Sequence, residues 1–585
     1  MAVERLLQDP APVGEAIVKV LEQAGIDHVF GMPGGNTGWS IFSGLYDAQD
    51  LIRTVLVREE GLATVMAEVY GRLTGRPGVC CAQAAFLLTN AGVGILEGYL
   101  ASSPMLILTD LSDNSPFSHH APYQSGSGDY GGWNAPATIA GYTKQVFVAY
   151  DGPQAVGQTQ LAIKHAISGT PGPVAVLYHS TALDQVVGPD STPRLYSTGH
   201  YLPGAAAPAP AAEVERAAQM LARAERPVVI AGNGVRVGQA REELRELAEL
   251  LDVPVATTAS GKGVFPETHP LALGLFGTFG LEAANAVVAD ADLVIAIGTR
   301  LGFTDTAREN PSLLDPERQA LIQIEVEPRN ASWTFPDEVA LVGDASTVLQ
   351  QLTGALHDTG SSRRDSGRQR VAAAHQELDS FEVSEALSDE SPMLPQRAIA
   401  ELQRALPDDA IVTCDAGENR LYMQHYFRTR GGMEYLQPAA VGGMGYAIPA
   451  ALAAKLVHPG RAAVAVCGDG GFGIAMNGMM TAFEEKIPIV TVVFNNSALG
   501  WVLHGQGERP IASEFAPFDH AAIARAMGCD AYRVERPADL QPALRDAMAG
   551  GRPAVVDVVT SLKETFRKVT SPLAAQPRRQ PAYGR

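Results

Sequence analysis

The chain has 585 residues, too many for a single hydrophobic core, and a length that suggests roughly three or four domains. Its 44 basic and 64 acidic residues leave a net charge of −20, which argues against nucleic-acid or anionic-membrane partners and favours small molecules. The five cysteines (Cys80, Cys81, Cys414, Cys467, Cys529) are odd in number and show no C-x-x-C pairing, so neither a disulfide framework nor a zinc site is indicated. With no apolar run of membrane-spanning length and no signal-like N-terminus, the chain reads as a cytoplasmic enzyme.

Residues 11–185 alternate between strand and helix patterns. Val13, Ile17, Val20, Leu21 and Ala24 share one helical face that ends at Gly25, and the strand-then-glycine-turn HVFGMPGGN follows. Further strands are expected at Gly78–Ala82, Pro104–Asp110 and Pro173–His179. Residues 186–212, rich in Pro, Gly, Ser and Ala, read as a linker. A second unit, 213–355, has strands expected at Pro227–Gly232, Val253–Thr258, Asp292–Gly298 and Leu321–Pro328, the alternation of a Rossmann-like parallel sheet. A polar linker, 356–392, precedes a third unit, 393–575, with strands AIVTC, AVAVC, IVTVVF and AVVDVV. Residues 576–585 read as a flexible tail. The expected fold class is α/β, with three parallel-sheet αβα domains.

The third unit carries the most informative stretch, Gly468 to Asn496. A buried strand leads into Gly468-Asp469-Gly470-Gly471 and a helix, then a second apolar strand ends in Asn495-Asn496. A bare Gly-Asp-Gly can be only a turn, but a metal–diphosphate site explains every part of the longer pattern. Asp469 and Asn496 would offer hard oxygens to Mg²⁺, with the main-chain carbonyl of Ala498 as a third ligand. The glycines, Gly470 and Gly471 among them, would let main-chain N–H groups approach phosphate.

This segment resembles the thiamine-diphosphate signature of the acetolactate synthase, pyruvate oxidase and benzoylformate decarboxylase superfamily, and the resemblance extends over nearly the whole chain. It implies pyrimidine-binding, central and diphosphate-binding domains in that order, with thiamine diphosphate and Mg²⁺ as cofactors. It also requires a glutamate from another domain. Val57 to Arg72, VREEGLATVMAEVYGR, resembles the family helix R-H-E-x-x-A-x-x-M-A-x-x-Y-A-R and places Glu60 at the catalytic position. There a carboxylate bonded to the aminopyrimidine promotes loss of the thiazolium C2 proton. Without the resemblance, Glu59 and Glu60 are equally well solvated charges at a helix start.

Four more segments resemble family elements. In Val441–Tyr446 the Gly442 carbonyl would accept from the 4′-amino group, and Met444 would wedge beneath the cofactor or simply fill core. Gly417, Glu418 and Asn419 occupy the phosphate-side turn, as diphosphate contacts or as a plain turn. Gly35 lies in a glycine turn resembling the one whose backbone faces the substrate oxyanion. Gln124 matches a loop glutamine that reaches substrate or the 4′-amino nitrogen, and His119 and His120 precede it as proton shuttles or as surface histidines.

Two departures bear on substrate. Ala85–Asn90, AFLLTN, stands where relatives carry a glycine loop, and Gly505 stands where acetolactate synthases carry an acceptor-selecting tryptophan. Gly298-Thr299-Arg300 begins like a flavin-associated motif that is then lost, leaving FAD, an ADP-like ligand or an empty domain open. The resemblance thus implies a carboligase acting on a 2-oxo acid or 1,2-dicarbonyl donor but not a typical biosynthetic acetolactate synthase. A 2-oxo acid decarboxylase, a diketone hydrolase and a non-catalytic cofactor-binding homologue are the alternatives. By the same analogy each site is completed across a subunit interface, in a homodimer or homotetramer.

Overall fold

The computed structural model describes residues 3–112, 124–128, 130–358, 366–378, 381 and 383–575. The expected α/β architecture is present as three six-stranded sheets in chain order, each wholly parallel and flanked by helices. In the first, the strands run Arg53–Leu56, His28–Met32, Gly78–Ala82, Met105–Asp110, Pro173–Tyr178 and Gln145–Ala149 across the sheet. In the second the order is Ala272–Leu275, Val255–Thr257, Pro227–Ala231, Leu293–Ile297, Ala320–Glu325 and Val339–Val342. The third runs Glu434–Leu436, Ile411–Cys414, Ala463–Gly468, Val490–Asn495, Ala554–Val559 and Asp530–Val534. Among the described strands the short pair Ala11–Pro12 and Val186–Val187 is antiparallel, and it ties the start of the first domain to the chain leaving it.

A parallel sheet covered on both faces needs strands that are apolar on both sides, and AVAVC and VTVVF satisfy this: Ala463–Cys467 and Val490–Phe494 are buried throughout. All five cysteines are buried and unpaired. Among the described residues no helix is long and apolar enough to cross a membrane.

The first and third domains share a core. Helix Glu60–Thr74 packs against helix Ala447–Val457, and Met66, Val69 and Leu73 join Ile448, Ala451 and Leu452 in one buried cluster. Five of the eleven residues in AIPAALAAKLV are alanine, so the helix backbones approach closely, and the helix that begins at Glu60 is fixed relative to the third sheet.

Candidate active site

The carboxyl ends of neighbouring parallel strands bring the third domain's signature together. Pairing of Gly468 with Phe494 puts Asp469 beside Asn496. The Asn496 main-chain N–H donates to Asp469 Oδ2 at 2.9 Å, and Asn496 Oδ1 accepts from the Ala498 N–H at 3.1 Å. Asp469 is buried, and that burial pushes its carboxyl above the usual range. Such a carboxylate is stabilised by a cation, and the carboxylate, amide and carbonyl oxygens of Asp469, Asn496 and Ala498 are the hard donors that Mg²⁺ prefers. Among the described residues no cluster of three His, Cys, Asp or Glu side chains offers another metal site.

One cavity at these strand ends is lined by Gly417, Glu418 and Asn419, by Gly442 and Met444, and by Gly468 to Gly471 with Asn496 and Ala498. Asp415, at the end of the strand Ile411–Cys414, knots three of these loops. Its carboxylate accepts the N–H groups of Ala416 at 3.0 Å, Gly445 at 2.9 Å and Tyr446 at 3.1 Å. Burial raises its pKa to about 6 despite these bonds. A Cβ on Gly471 would overlap the same carboxylate, so only glycine lets the phosphate-side turn close over it. Gly417 has φ 127°, a backbone conformation that only glycine adopts without strain, and it turns the chain into helix Glu418–Tyr426. The narrow, glycine-walled cradle fits a diphosphate.

Glu418 turns its carboxylate to protein partners. Its Oε1 lies 2.7 Å from His504 Nδ1 and accepts the Phe566 N–H at 2.7 Å. Asn419 donates through Nδ2 to the Asp415 carbonyl at 3.2 Å.

From the first domain, helix Glu60–Thr74 starts at Glu60, which is 5% exposed. Glu59 is the extended N-cap residue: its main-chain carbonyl accepts the Leu62 N–H at 3.1 Å, and its half-buried carboxylate, raised by burial, lies against Gly61 without a side-chain capping bond. A second cavity is lined by Glu59, Gly61 and Leu62 on one side and by Gly443, Met444 and Tyr446 on the other. Met444 lines both cavities and is 40% exposed.

A buried ionic network joins the two halves. Arg72, 1% exposed, bonds through Nε to Glu68 at 2.7 Å and through Nη2 to Glu97 at 3.2 Å, and donates to the Gln437 carbonyl at 3.1 Å. Two carboxylates and the Tyr446 ring hold the Arg72 guanidinium strongly protonated against the cost of burial. Tyr446 donates its hydroxyl to Glu68 at 3.0 Å, and Glu97 accepts the Val441 N–H at 2.7 Å. Reading the sequence did not single out Glu68, Arg72, Glu97 or Tyr446 as site-forming. The available signal was that Glu68 and Arg72 lie four apart within the helix motif, on one face.

At the first glycine turn, Gly35 (φ 57°) stands over Asp110, whose carboxylate is held by the Ala84 N–H at 3.4 Å and Ser112 Oγ at 3.1 Å, with the Asn36 N–H also directed to it. These main-chain donors therefore serve Asp110, and its buried carboxyl is raised by desolvation. Helix Ala84–Thr89 replaces the glycine loop, burying Leu87 and Leu88 and leaving Phe86 at the surface. Gln124 has φ 60°, and its Oε1 has no partner among the described residues. His119 and His120 lie outside the described residues.

In the central domain the Gly234 N–H donates to the Gly298 carbonyl at 2.9 Å, and Arg300 donates to the Leu100 carbonyl at 3.2 Å. The flavin-like turn is thus tied to neighbouring main chain through the Gly298 carbonyl as acceptor and one Arg300 nitrogen as donor.

Comparison with known proteins agrees with this geometry. Family models described as thiamine pyrophosphate enzyme N-terminal TPP binding domain, central domain and C-terminal TPP binding domain match residues 12–127, 214–352 and 415–558. A probable acetolactate synthase large subunit of Methanocaldococcus jannaschii is 31% identical, with 95% of this chain and 93% of the relative covered. A sulfoacetaldehyde acetyltransferase of Alcaligenes xylosoxydans xylosoxydans is 30% identical over 95% of this chain and 94% of its own. A probable 2-ketoarginine decarboxylase of Pseudomonas aeruginosa is 31% identical over 93% and 92%. The chain belongs to the thiamine-diphosphate-dependent enzyme superfamily of acetolactate-synthase-like type.

Proposed function

We propose that this enzyme uses thiamine diphosphate held by Mg²⁺ to cleave the C–C bond beside the carbonyl of a 2-oxo acid or 1,2-dicarbonyl donor and to pass the acyl unit to a carbonyl acceptor. The observation that carries this reading is the cradle in which Gly417, Gly442, Met444 and Gly471 surround the Asp469–Asn496 pair. Bound thiamine diphosphate would supply a carbon nucleophile and an electron sink. Asp469, Asn496 and Ala498 would hold the metal, Met444 would support the coenzyme's bend, and Glu60 would hold a proton at the pyrimidine. The apolar helix Ala84–Thr89, in place of a flexible glycine loop, supports a substrate pocket unlike that of biosynthetic acetolactate synthases.

The relatives' names include a synthase, an acetyltransferase and a decarboxylase, so the acceptor is the open variable: a carbonyl gives carboligation, a proton gives simple decarboxylation. Carboligation is the reading proposed. We take the domains as 11–185, 213–355 and 393–575, and the assembly as a homodimer or homotetramer with sites shared between subunits. Five buried free thiols and the acidic surface suit a reducing, cytoplasmic setting. Titration calorimetry with thiamine diphosphate, with and without Mg²⁺, tests the cofactors. A mass-spectrometric screen of 2-oxo acids and diketones against aldehydes and ketones tests the reaction. Uptake of the coenzyme without any product from any pair would reject the carboligase reading.

A further inference from the structure

An acidic residue beside a diphosphate is a physical problem. Glu418 lies in the turn Gly417-Glu418-Asn419, lines the same cavity as Gly468 to Gly471, and is 5% exposed. An uncompensated carboxylate there would repel a phosphate group through poorly screening protein. The structure supplies compensation from a residue 86 positions away. His504 sits on helix Gly500–Gln506, which follows directly on the Asn496–Ala498 turn. Its Nδ1 lies 2.7 Å from Glu418 Oε1, and its Nε2 lies 3.0 Å from the main-chain carbonyl of Leu562. Both partners are acceptors only. A neutral imidazole has one N–H and one bare nitrogen, so with Glu418 ionised both contacts are satisfied by a ring that carries a hydrogen on each nitrogen and a positive charge. Glu418 Oε1 also takes the Phe566 N–H, as an ionised carboxylate does.

The pair is built into its surroundings. On the same short helix Trp501 stacks on Phe566 with ring centroids 5.5 Å apart and meets Phe279 of the central domain edge-on at 5.9 Å. Arg567 donates to the His504 carbonyl at 3.4 Å. The helix is thereby fastened to the segment Leu562–Arg567, and the His504 side chain is 14% exposed. Arg567 donates to the main chain of His504, Glu564 bonds to Gln396 and Lys568, and the Tyr422 hydroxyl lies beside Glu418, so among the described residues His504 is the basic side chain that pairs with Glu418.

We propose that Glu418 and His504 form a positioning pair that sets the charge of the diphosphate pocket. His504 cancels Glu418 so that the cavity accepts a polyanion, while Glu418 holds the phosphate-side turn and the Phe566 segment in place. This rests on the reading that the coenzyme's diphosphate occupies this cavity. Neither residue touches the reacting atoms.

Calorimetric titration of the full-length protein with thiamine diphosphate and with inorganic diphosphate, each in saturating Mg²⁺, tests it. His504→Gln removes the cation and keeps the ring's size and one hydrogen bond; it should weaken both ligands about tenfold, the scale of a partly buried charge pair. Glu418→Gln removes the opposing charge and should tighten both. The double variant should return close to the wild-type affinity, and His504→Lys, which restores a cation, should bind better than His504→Gln. A purely mechanical clamp makes the opposite prediction for Glu418→Gln, which would weaken binding as much as His504→Gln does. That result, or wild-type affinity in His504→Gln, would overturn the proposal. If His504→Gln does not fold, the direction of the Glu418→Gln change still decides. Failure of the wild-type protein to bind either ligand would instead reject the underlying coenzyme site and the pair with it.

Discussion

The carboxylate of Glu97, in the first domain, accepts the main-chain N–H of Val441, the residue before Gly442 in the third, at 2.7 Å. The loop that carries Gly442 and Met444 is therefore not held by its own domain alone. Glu97 is paired with Arg72, which also grips Gln437, and Arg72 reaches from the helix that begins at Glu60. One ionic network fixes the helix that begins at Glu60 relative to the Gly442–Met444 loop of the same chain. Glu97→Gln keeps one acceptor oxygen where the carboxylate uses two, so it can serve Val441 or Arg72 but not both, and it leaves buried Arg72 with Glu68 as its remaining carboxylate partner. Loss of about 2 kcal/mol is expected, below the usual cost of breaking a buried pair because one carboxylate remains. Thermal unfolding should shift down by several degrees, and coenzyme affinity should fall with it.

Glu60 is argued to act on a proton, so its test should isolate proton transfer. Exchange of the C2 hydrogen of bound thiamine diphosphate for deuterium, read by NMR after acid quench, needs no substrate. Glu60→Gln should slow that exchange by about two orders of magnitude or more and leave calorimetric binding within severalfold of wild type. Unchanged exchange would remove Glu60 from the mechanism. Glu59→Gln should change exchange far less, because the Glu59 carboxylate lies against Gly61 at the start of its own helix.

Asp415 gives a pH signature. Its native pKa is raised to about 6, against an ordinary value of 3.8, chiefly by burial. The native state then binds its proton more tightly than the unfolded chain, so this group's contribution to stability is complete below about pH 4 and is lost as pH rises through 6. The lost term is on the order of 3 kcal/mol. Asp415→Asn removes that titration but sets its amide NH₂ against the Gly445 N–H or against those of Tyr446 and Ala416, depending on which way the amide faces. The variant should be less stable overall, and its melting temperature should change less between pH 4.5 and 6.5 than that of the wild type. An identical pH dependence in both proteins would mean that Asp415 does not titrate in this range.

The sequence made the centre of each sheet readable and hid its edges. In all three sheets the four inner strands, such as Gly78–Ala82, Leu293–Ile297 and Ala463–Gly468, were expected from continuous apolar runs. The two outer strands were not: Arg53–Leu56 and Gln145–Ala149, Ala272–Leu275 and Val339–Val342, Glu434–Leu436 and Asp530–Val534. An edge strand has one neighbour, and RTVL and DAYRV mix charge with apolar residues on a partly exposed face, whereas EYL and ALGL are buried throughout but only three and four residues long. The same division applies to the site. Asp469, Asn496 and the glycine turns belong to local patterns in which main chain and short side chains do the work. Glu97 with Val441 and Glu418 with His504 are side-chain pairings between residues far apart in sequence, and no local pattern encodes them.

Whether Glu60 meets the metal site of its own chain or of a neighbour can be decided by mixing two inactive proteins. Glu59 and Gly61 line one cavity with Met444 of the same chain, while Asp469 and Asn496 line the other, on the far side of that methionine. Glu60→Gln should abolish turnover by losing the proton function, and Asp469→Asn by losing a metal ligand. If sites are completed between subunits, a hybrid dimer of the two variants contains one site carrying both changes and one carrying neither. After denaturation and joint refolding, or co-expression with two tags, up to about half of the wild-type activity per purified hybrid should return. If each chain completes its own site, every site in the hybrid carries one lesion and no activity returns. The same hybrid, titrated with thiamine diphosphate and Mg²⁺, should bind one coenzyme tightly and one weakly in either case, because Asp469 anchors the metal in whichever chain holds it; recovery of turnover, not binding, therefore distinguishes the two arrangements.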